Sequence, residues 1–201
     1  MVTPPAELRS HTGGTITQTD RAAIEKGEVL VELTAVEGSA IKRSVAIALV
    51  DAPPEAVFSV LTDYANFPSF MPYCSETKVQ KKEGEVSTVY FALDFPWPLE
   101  NKHYVLRLTD TQHEVADQKV YSSSWTYEPN SGNINDSYGS WEVRPYDSKR
   151  TFVRYTVFTD PGGKIPAWAN SMASEVAVPK VIQGLRNRTL KTVTEKKLDA
   201  P

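Results

Sequence analysis

Three histidines and one cysteine are the residues most able to do chemistry. His11 lies in a polar N-terminal stretch and His113 in a predicted turn, so both are expected to be solvated. His103 begins a predicted strand and could reach the mouth of a pocket. No two histidines have the spacing of metal ligands on one helix face, and no acidic cluster accompanies them. The sequence therefore predicts no metal site and no cofactor.

Cys74 is the single cysteine, which excludes an internal disulfide and a multi-cysteine metal site. A nucleophilic thiol needs a nearby base or a positive field, and the sequence around Cys74 specifies neither. We therefore expect a small buried packing residue. The chain also lacks a Gly-x-Ser-x-Gly elbow, a phosphate-binding loop and a dinucleotide fingerprint.

Composition limits the class of protein and its partners. The chain has 201 residues, 40% of them hydrophobic and 23% charged, with a formal net charge of −3. One domain with a sizeable core is expected at this length, and the slightly acidic balance argues against nucleic acid as a partner. No apolar run approaches the roughly 20 residues of a membrane helix, and no signal peptide is visible. The cytosol is favoured, with the periplasm as the alternative if a leader was removed.

The order of predicted elements gives an α+β chain. Residues 1–19 are polar and predict a loose arm, and residues 20–198 predict a single domain. A short helix over 20–26 precedes strands over 28–33 and 44–50. Pro53 and Pro54 then open a helix, and the aromatic segment 63–73 predicts a second short helix and a loop.

A meander of strands and one long helix complete the prediction. Runs of β-branched and aromatic residues predict strands over 75–82, 86–94, 103–110, 119–128, 137–144 and 151–159. Residues 110–117 predict a long turn between the third and fourth of these strands. Pro166 then opens about thirty helical residues, in which Trp168, Met172 and Val176 fall at i, i+4 and i+8. In the last strand Tyr155 shares one face with Val153 and Val157, while Phe152 and Phe158 share the other. Both faces are partly apolar, so the inward face stays open.

An ordered set of motifs resembles a known superfamily. The motifs are Asp51-Ala52-Pro53-Pro54-Glu55-Ala56-Val57-Phe58, Leu61-Thr62-Asp63-Tyr64, Met71-Pro72, Phe95-Pro96-Trp97-Pro98-Leu99, Gly139-Ser140-Trp141, Asp160-Pro161-Gly162-Gly163-Lys164-Ile165-Pro166-Ala167-Trp168 and Leu185-Arg186. In this order they resemble the START lipid-transfer domain and the wider superfamily of polyketide cyclases and plant pollen allergens. The chain is most similar to bacterial START-like proteins, including those grouped with coenzyme-Q-binding proteins.

The resemblance implies a helix-grip fold with a ligand in its interior. In this fold a curved antiparallel sheet wraps around the long C-terminal helix and leaves an apolar cavity. The implied partner is a lipid, sterol, quinone or other hydrophobic small molecule, with transient membrane contact during transfer. Many relatives carry a basic-acidic pair where this chain has Asn101-Lys102-His103, so a ligand contact there is not carried over. We assign the ligand contacts to Phe70, Met71, Tyr90, Tyr104, Trp125, Trp141, Tyr155, Trp168, Met172 and Val176.

Three functions follow as hypotheses. The first is non-enzymatic binding and transfer of a hydrophobic ligand, with Gly162 and Gly163 as a hinge for exchange. The second is an aromatase/cyclase-type enzyme, in which His103, Arg107, Arg154 or a pocket tyrosine would move protons. The third is a chaperone-like module acting on a quinone or respiratory partner. Because one scaffold hosts many functions, the fold alone does not choose among them.

Overall fold

In the part of the chain that the structure describes, eight antiparallel strands form one sheet that carries three α-helices and a 3₁₀ helix. The computed structural model describes residues 8–115, 117–163 and 176–198. The order of strands in the sheet is β1-β2-β8-β7-β6-β5-β4-β3. The elements are α1 (Gln18–Glu25), β1 (Leu30–Thr34), β2 (Arg43–Val50), α2 (Pro54–Leu61), the 3₁₀ helix (Tyr64–Ser69), β3 (Cys74–Glu83), β4 (Val86–Leu93), β5 (Lys102–Val115), β6 (Gln118–Tyr127), β7 (Asp136–Pro145), β8 (Thr151–Asp160) and α3 (Val178–Leu198).

The predicted order of elements is confirmed, and one hairpin differs from the prediction. A long turn was expected over 110–117, but β5 continues to Val115 and pairs with β6 through Thr111↔Ser122 and His113↔Val120. The turn is tight, and Asp117 there has a positive φ of 61°. Polar side chains can occupy a strand that extends beyond the core, because the backbone ladder does not require apolar residues.

The prediction of a loose arm is wrong for residues 8–19, which pack against the outer, convex face of the sheet. Leu8 and Ile16 are buried and join a small core with Ile24 of α1 and Phe152 of β8. Thr17 caps α1 in a reciprocal capping box with Asp20. The stretch is mostly polar in composition, but its two apolar residues Leu8 and Ile16 pack onto the convex face of the sheet.

Helix α3 lies on the opposite, concave face, where the long C-terminal helix was predicted. Its buried side chains are Val178, Ile182, Leu185 and Thr189, and it packs against α2 and β2. The start of the predicted helix lies outside the described residues. Pro179, which the sequence predicts to kink the helix, is the second residue of α3 and directly follows two π-helical residues, 176 and 177.

Arg186 fastens α3 to the rest of the fold. Its Nε donates to the carbonyl oxygen of Leu49 at 2.8 Å, and its Nη1 donates to that of Gly27 at 3.0 Å. Gly184 lets α3 lie close to the backbone that follows the 3₁₀ helix, because a Cβ at this position would overlap the Phe70 carbonyl oxygen. No helix within the described ranges combines the length and the apolarity needed to cross a bilayer.

Candidate ligand-binding site

A cavity of about 580 Å³ lies between the concave face of the sheet and α3. Strand alternation selects its walls: Tyr155, Val157 and Thr159 of β8 face inward, while Phe152 belongs to the convex core. The cavity opens beside the loops that join β1 to β2 and β4 to β5 and beside residues 161–163. A dry void of this volume would cost about 14 kcal/mol, so in solution the cavity must hold ligand or water.

Stacked aromatic rings form the wall contributed by β6, β7 and β8. The Trp141 and Tyr155 rings stack at a centroid distance of 4.1 Å, and Trp125 lies 6.0 Å from Tyr155. Gly139 makes this arrangement possible, because a Cβ there would overlap the Trp125 ring. The indole therefore lies across β7, and its Nε1 donates to the Ser137 hydroxyl at 3.4 Å. These rings give the site a rigid apolar surface with few polar atoms.

A second aromatic group closes the cavity between the 3₁₀ helix and β4. Phe67 packs against Tyr64, Phe70 and Phe91 with centroid distances of 5.3, 5.3 and 6.1 Å. Phe91 in turn stacks on Tyr104 of β5 at 6.0 Å. The predicted short helix of segment 63–73 therefore contributes a wall of the site, with its aromatic residues turned toward the sheet.

One end of the cavity carries a hydrogen-bonded hydroxyl pair. Tyr64 Oη donates to Asp110 Oδ1 at 2.7 Å and lies 3.3 Å from Ser123 Oγ. Burial, and then the negative charge of Asp110, raise the pKa of the Tyr64 phenol. Tyr64 and Ser123 both face the cavity. The hydroxyl groups at this end can donate a hydrogen bond to a bound molecule or accept one from it, and neither group places a charge in the interior.

Burial sets the protonation state of the other titratable groups in the wall. It raises the pKa of the Cys74 thiol to about 11, so the thiol is neutral near pH 7 and is not an activated nucleophile. Burial also raises the pKa of the Tyr104 and Tyr155 phenols. Both tyrosines therefore keep their protons under all physiological conditions and act as hydrogen-bond donors rather than bases.

Charged side chains reach the cavity at its mouth. Lys42 precedes β2, Lys102 begins β5, and Glu100 lies in the loop before it. Lys102 Nζ and a Glu100 carboxylate oxygen form an ion pair at 3.3 Å. The described residues deeper in the cavity are apolar or carry hydroxyl, indole or thiol groups. The site therefore combines a charged rim with an uncharged interior.

Five of the ten residues assigned from sequence line this cavity. They are Met71, Tyr104, Trp125, Trp141 and Tyr155.

Three of the others do not line the described cavity. Tyr90 lies on the convex face beside His103, because Phe91 takes the inward position next to it. Phe70 packs behind Phe67, with its carbonyl against Gly184. Val176 is exposed. Trp168 and Met172 lie outside the described residues.

Further wall residues were not singled out from sequence. Ser123 and Trp125 of β6 share the inward face, as do Ser137 and Trp141 of β7. Strand alternation would have identified both serines once the inward face was known. Phe67 and Tyr64 carried no such signal, because only the path of the 3₁₀ helix turns them toward the sheet.

The three residues proposed as proton movers lie outside the cavity. His103 and Arg107 are exposed on the outward positions of β5, and Arg154 shares the convex face with Phe152. This corrects the expectation that they would serve a cyclase-type reaction in the cavity. The described residues also contain no group of three or more His, Cys, Asp or Glu that could hold a metal ion.

Gly162 and Gly163 lie at the mouth of the cavity with positive φ angles of 69° and 72°. A side chain at either position would be strained in this left-handed region. Their action as a hinge stays a prediction.

Curated relatives match most of the chain. An uncharacterised protein of Pseudomonas aeruginosa is 29% identical over 182 residues, which cover 87% of this chain and 89% of that protein. The bovine phosphatidylcholine transfer protein is 27% identical over 150 residues, which cover 68% of each chain.

Solved structures share the fold. A STAR-related lipid transfer protein of Xanthomonas axonopodis has a TM-score of 0.70 at 24% identity, and the match covers 80% of this chain and 93% of that one. The Zhui aromatase/cyclase of Streptomyces sp. R1128 has a TM-score of 0.56 at 17% identity, over 79% of this chain and 96% of that one. At these identities the likeness shows a common START-like helix-grip fold.

The family is shown by a sequence match over the cavity-forming part of the chain. The model of the family described as polyketide cyclase / dehydrase and lipid transport matches residues 50–186. This range spans α2, the 3₁₀ helix, β3 to β8 and the first half of α3. The chain therefore belongs to the polyketide cyclase / dehydrase and lipid transport family and has a START-like domain.

Proposed function

We propose that the protein binds a hydrophobic small molecule in this cavity and transfers it between membranes. The observation that carries the proposal is an aromatic-walled cavity of about 580 Å³ with an open mouth. Its volume lies within the range of small-molecule sites, and apolar contact with its walls would supply most of the binding energy. The names of the bovine and Xanthomonas proteins, which are lipid transfer proteins, support the same class of ligand.

The mouth of the cavity has the features of a membrane-contacting surface. Trp97 is 92% exposed on the loop between β4 and β5, whose neighbours Phe95, Pro98 and Leu99 reach into the cavity. An indole ring is well suited to the boundary between acyl chains and headgroups. Lys42 on the adjacent loop adds a positive charge that would favour an anionic bilayer surface. We infer that this loop touches the membrane while ligand passes through the mouth.

Native mass spectrometry of the purified protein, followed by lipid extraction, tests the binding function. We expect a co-purifying hydrophobic molecule, or loading by lipid from vesicles at a stoichiometry of one. The variant Gly139→Leu should reduce loading strongly, because a Cβ there overlaps the Trp125 ring and the Thr156 carbonyl oxygen. Loading is compared at equal folded fraction, measured by circular dichroism, and Trp141→Ala, which removes a wall ring without this backbone overlap, should also reduce loading. Ser140→Leu, one position along on the convex face, is the matched control. Repeated failure to find or load any lipid would contradict the proposal.

A vesicle-to-vesicle transfer assay tests the membrane contact. Trp97→Ala should slow transfer several-fold, while the melting temperature and the equilibrium affinity stay unchanged because the side chain packs on nothing. Val79→Ala removes another exposed apolar side chain, on the edge strand β3 and outside the loop between β4 and β5, and should leave transfer unchanged. Equal transfer by both variants and the wild type would argue against this docking surface.

A cyclase-type activity is the alternative function, and one observation supports it. Tyrosine phenols line the cavity, and a protonated phenol can donate to a developing enolate oxygen. Their raised pKa values favour this donor role and disfavour proton abstraction. If the protein turns over a polyketide mimic and Tyr104→Phe or Tyr155→Phe abolishes this turnover, the enzymatic alternative is established and the carrier function is rejected.

A further inference from the structure

The interior of the cavity offers no counter-charge to a charged ligand group. Among the described wall residues, the ionisable side chains that carry charge near pH 7 are Lys42, Glu100 and Lys102, all at the mouth. Asp110, at the other end, accepts a hydrogen bond from Tyr64, which stands between it and the cavity. Moving a charged headgroup past the rim would remove its hydration without a compensating ion pair. The interior therefore favours an uncharged ligand.

Two phenol groups in the same interior are free to donate a hydrogen bond to a ligand. Tyr104 of β5 is more than nine-tenths buried, and Tyr155 of β8 stacks on Trp141. Within the part of the chain that the structure describes, neither phenol oxygen has a hydrogen-bond partner. The two groups are near enough that the charge on one would raise the pKa of the other. Both side chains line the cavity, so a molecule that fills it is placed to accept hydrogen bonds from them.

The volume limits the size of that ligand. A liquid-packed molecule uses about 30 Å³ for each water-sized group, which allows roughly twenty non-hydrogen atoms in 580 Å³. A two-chain phospholipid, with about fifty such atoms, exceeds the cavity even before its charges are considered. A single acyl chain with a small neutral head, or a quinone with a short tail, lies close to this limit.

We propose that the cavity selects an uncharged, compact or single-chain lipid whose carbonyl oxygen accepts hydrogen bonds from Tyr104 and Tyr155. This selectivity rests on the ligand-binding function proposed above. The shared chemistry is a carbonyl acceptor on a neutral molecule, supplied either by an acylglycerol ester or by a quinone. A charged headgroup would stay at the rim beside Lys42 and Lys102, and the ester of such a lipid would not reach the tyrosines.

Equilibrium binding of three probes to the wild-type protein tests the selectivity. Monooleoylglycerol and decylubiquinone carry the neutral carbonyl chemistry, and oleoyl-lysophosphatidylcholine has the same acyl ester as the first probe with a charged head. All three are titrated below their micelle-forming concentrations. At least one neutral probe should bind tenfold or more tightly than the lysophospholipid, and the preferred one identifies the source of the carbonyl. Equal or tighter binding of the lysophospholipid would overturn the proposal.

The double variant Tyr104→Phe/Tyr155→Phe tests the hydrogen bonds. It should bind the preferred neutral probe about tenfold more weakly, because two donors are lost. Without ligand its melting temperature should not fall, since the hydroxyls have no described partner to lose. Tyr138→Phe, which removes a hydroxyl from the convex face of β7, is the matched control and should bind as the wild type does.

Two outcomes separate this proposal from the function on which it rests. If a neutral probe binds but the double variant keeps wild-type affinity, the tyrosine contact is wrong and the ligand-binding function stands. If none of the three probes binds and no lipid co-purifies, the ligand-binding function fails and this selectivity fails with it.

Discussion

The two faces of the same sheet have opposite packing. On the convex face, Phe152, Ile47 and Leu49 are covered by Leu8 and Ile16 of the N-terminal segment and by Ile24 of α1, and together they form a solid core. On the concave face, the alternate residues of the same strands face a cavity of about 580 Å³ that α3 covers without filling. Residues one position apart in β8 therefore meet different environments.

The difference lies in what covers each face. The convex core is covered by the aliphatic side chains of Leu8, Ile16 and Ile24, which pack between the side chains of the strands. The concave face is spanned by α3, whose described residues pack chiefly on α2 and β2. On this face large rings such as Trp141 and Tyr155 stack on each other beside the cavity. We infer that the convex face carries stability and the concave face carries function.

The largest effect is expected from a deletion in the convex core. Phe152→Ala should lower the free energy of unfolding by about 3 to 5 kcal/mol, because Phe152 is fully buried and its removal leaves a new void. Urea denaturation measures this loss. Ligand affinity of the folded fraction should be unchanged, and a loss below about 1 kcal/mol would contradict a solid core on this face.

The same substitution on the concave face should cost less. Phe91→Ala removes a ring that packs on Phe67 and Tyr104 but also borders the cavity, so part of the lost space was already open. We expect a loss of about 2 to 3 kcal/mol, with a clear fall in ligand affinity. Denaturation with and without bound ligand separates the two effects. A larger loss than that of Phe152→Ala would reverse the comparison between the faces.

Arg186 links the two regions, and its removal should have an intermediate effect. Arg186→Ala leaves the carbonyls of Leu49 and Gly27 without this donor and should cost about 1 to 2 kcal/mol. The matched control is Lys191→Ala on the exposed side of α3, which should stay within about 0.5 kcal/mol of the wild type. Similar losses for both variants would mean that the arginine adds no specific attachment.

The last effect is expected at alkaline pH, and it is spread over several phenols. The folded state raises the pKa of Tyr64, Tyr104 and Tyr155, so it favours their protonated forms. This contribution is complete below the unfolded value of about 10 and is lost as the pH rises above it. The free energy of unfolding should therefore fall from pH 9 to pH 11. The fall should be shallower for Tyr104→Phe/Tyr155→Phe but unchanged for Tyr138→Phe, and identical slopes would contradict the burial of these phenols.

Much of the fold was predictable because its signals are local. The prolines before α2, the β-branched runs of the meander and the apolar stripe of Ile182 and Leu185 all act within a few residues, and each marks the element that the structure contains. The early turn predicted at 110–117 failed because pairing of β5 with β6 continues beyond the apolar part of the strands. Pairing is a property of two segments, and neither one shows it alone.

The candidate site was predictable only in part because each of its residues depends on strand direction. Trp125, Trp141 and Tyr155 face the cavity, but Tyr90 does not, although all four are aromatic residues in predicted strands. The resemblance to START-like proteins indicated a cavity but not which strand face borders it. The inward position of Phe91 decides against Tyr90, and the pairing of Phe91 with Tyr104 fixes that choice.

The sequence by itself determined the order of elements, the absence of a metal-binding or nucleophilic motif, and the membership of the chain in a ligand-binding superfamily. These features depend on residue types and on short spacings, which can be read from the sequence without knowing the fold. Only the tertiary structure decided that Leu8 and Ile16 close the convex face, that Phe152 faces outward while Tyr155 faces inward, and that two unpartnered phenols meet in one cavity. The physical reason is that burial on either face depends on which distant segment covers it. In this protein the N-terminal segment fills one face, and a helix more than 150 residues away spans the other.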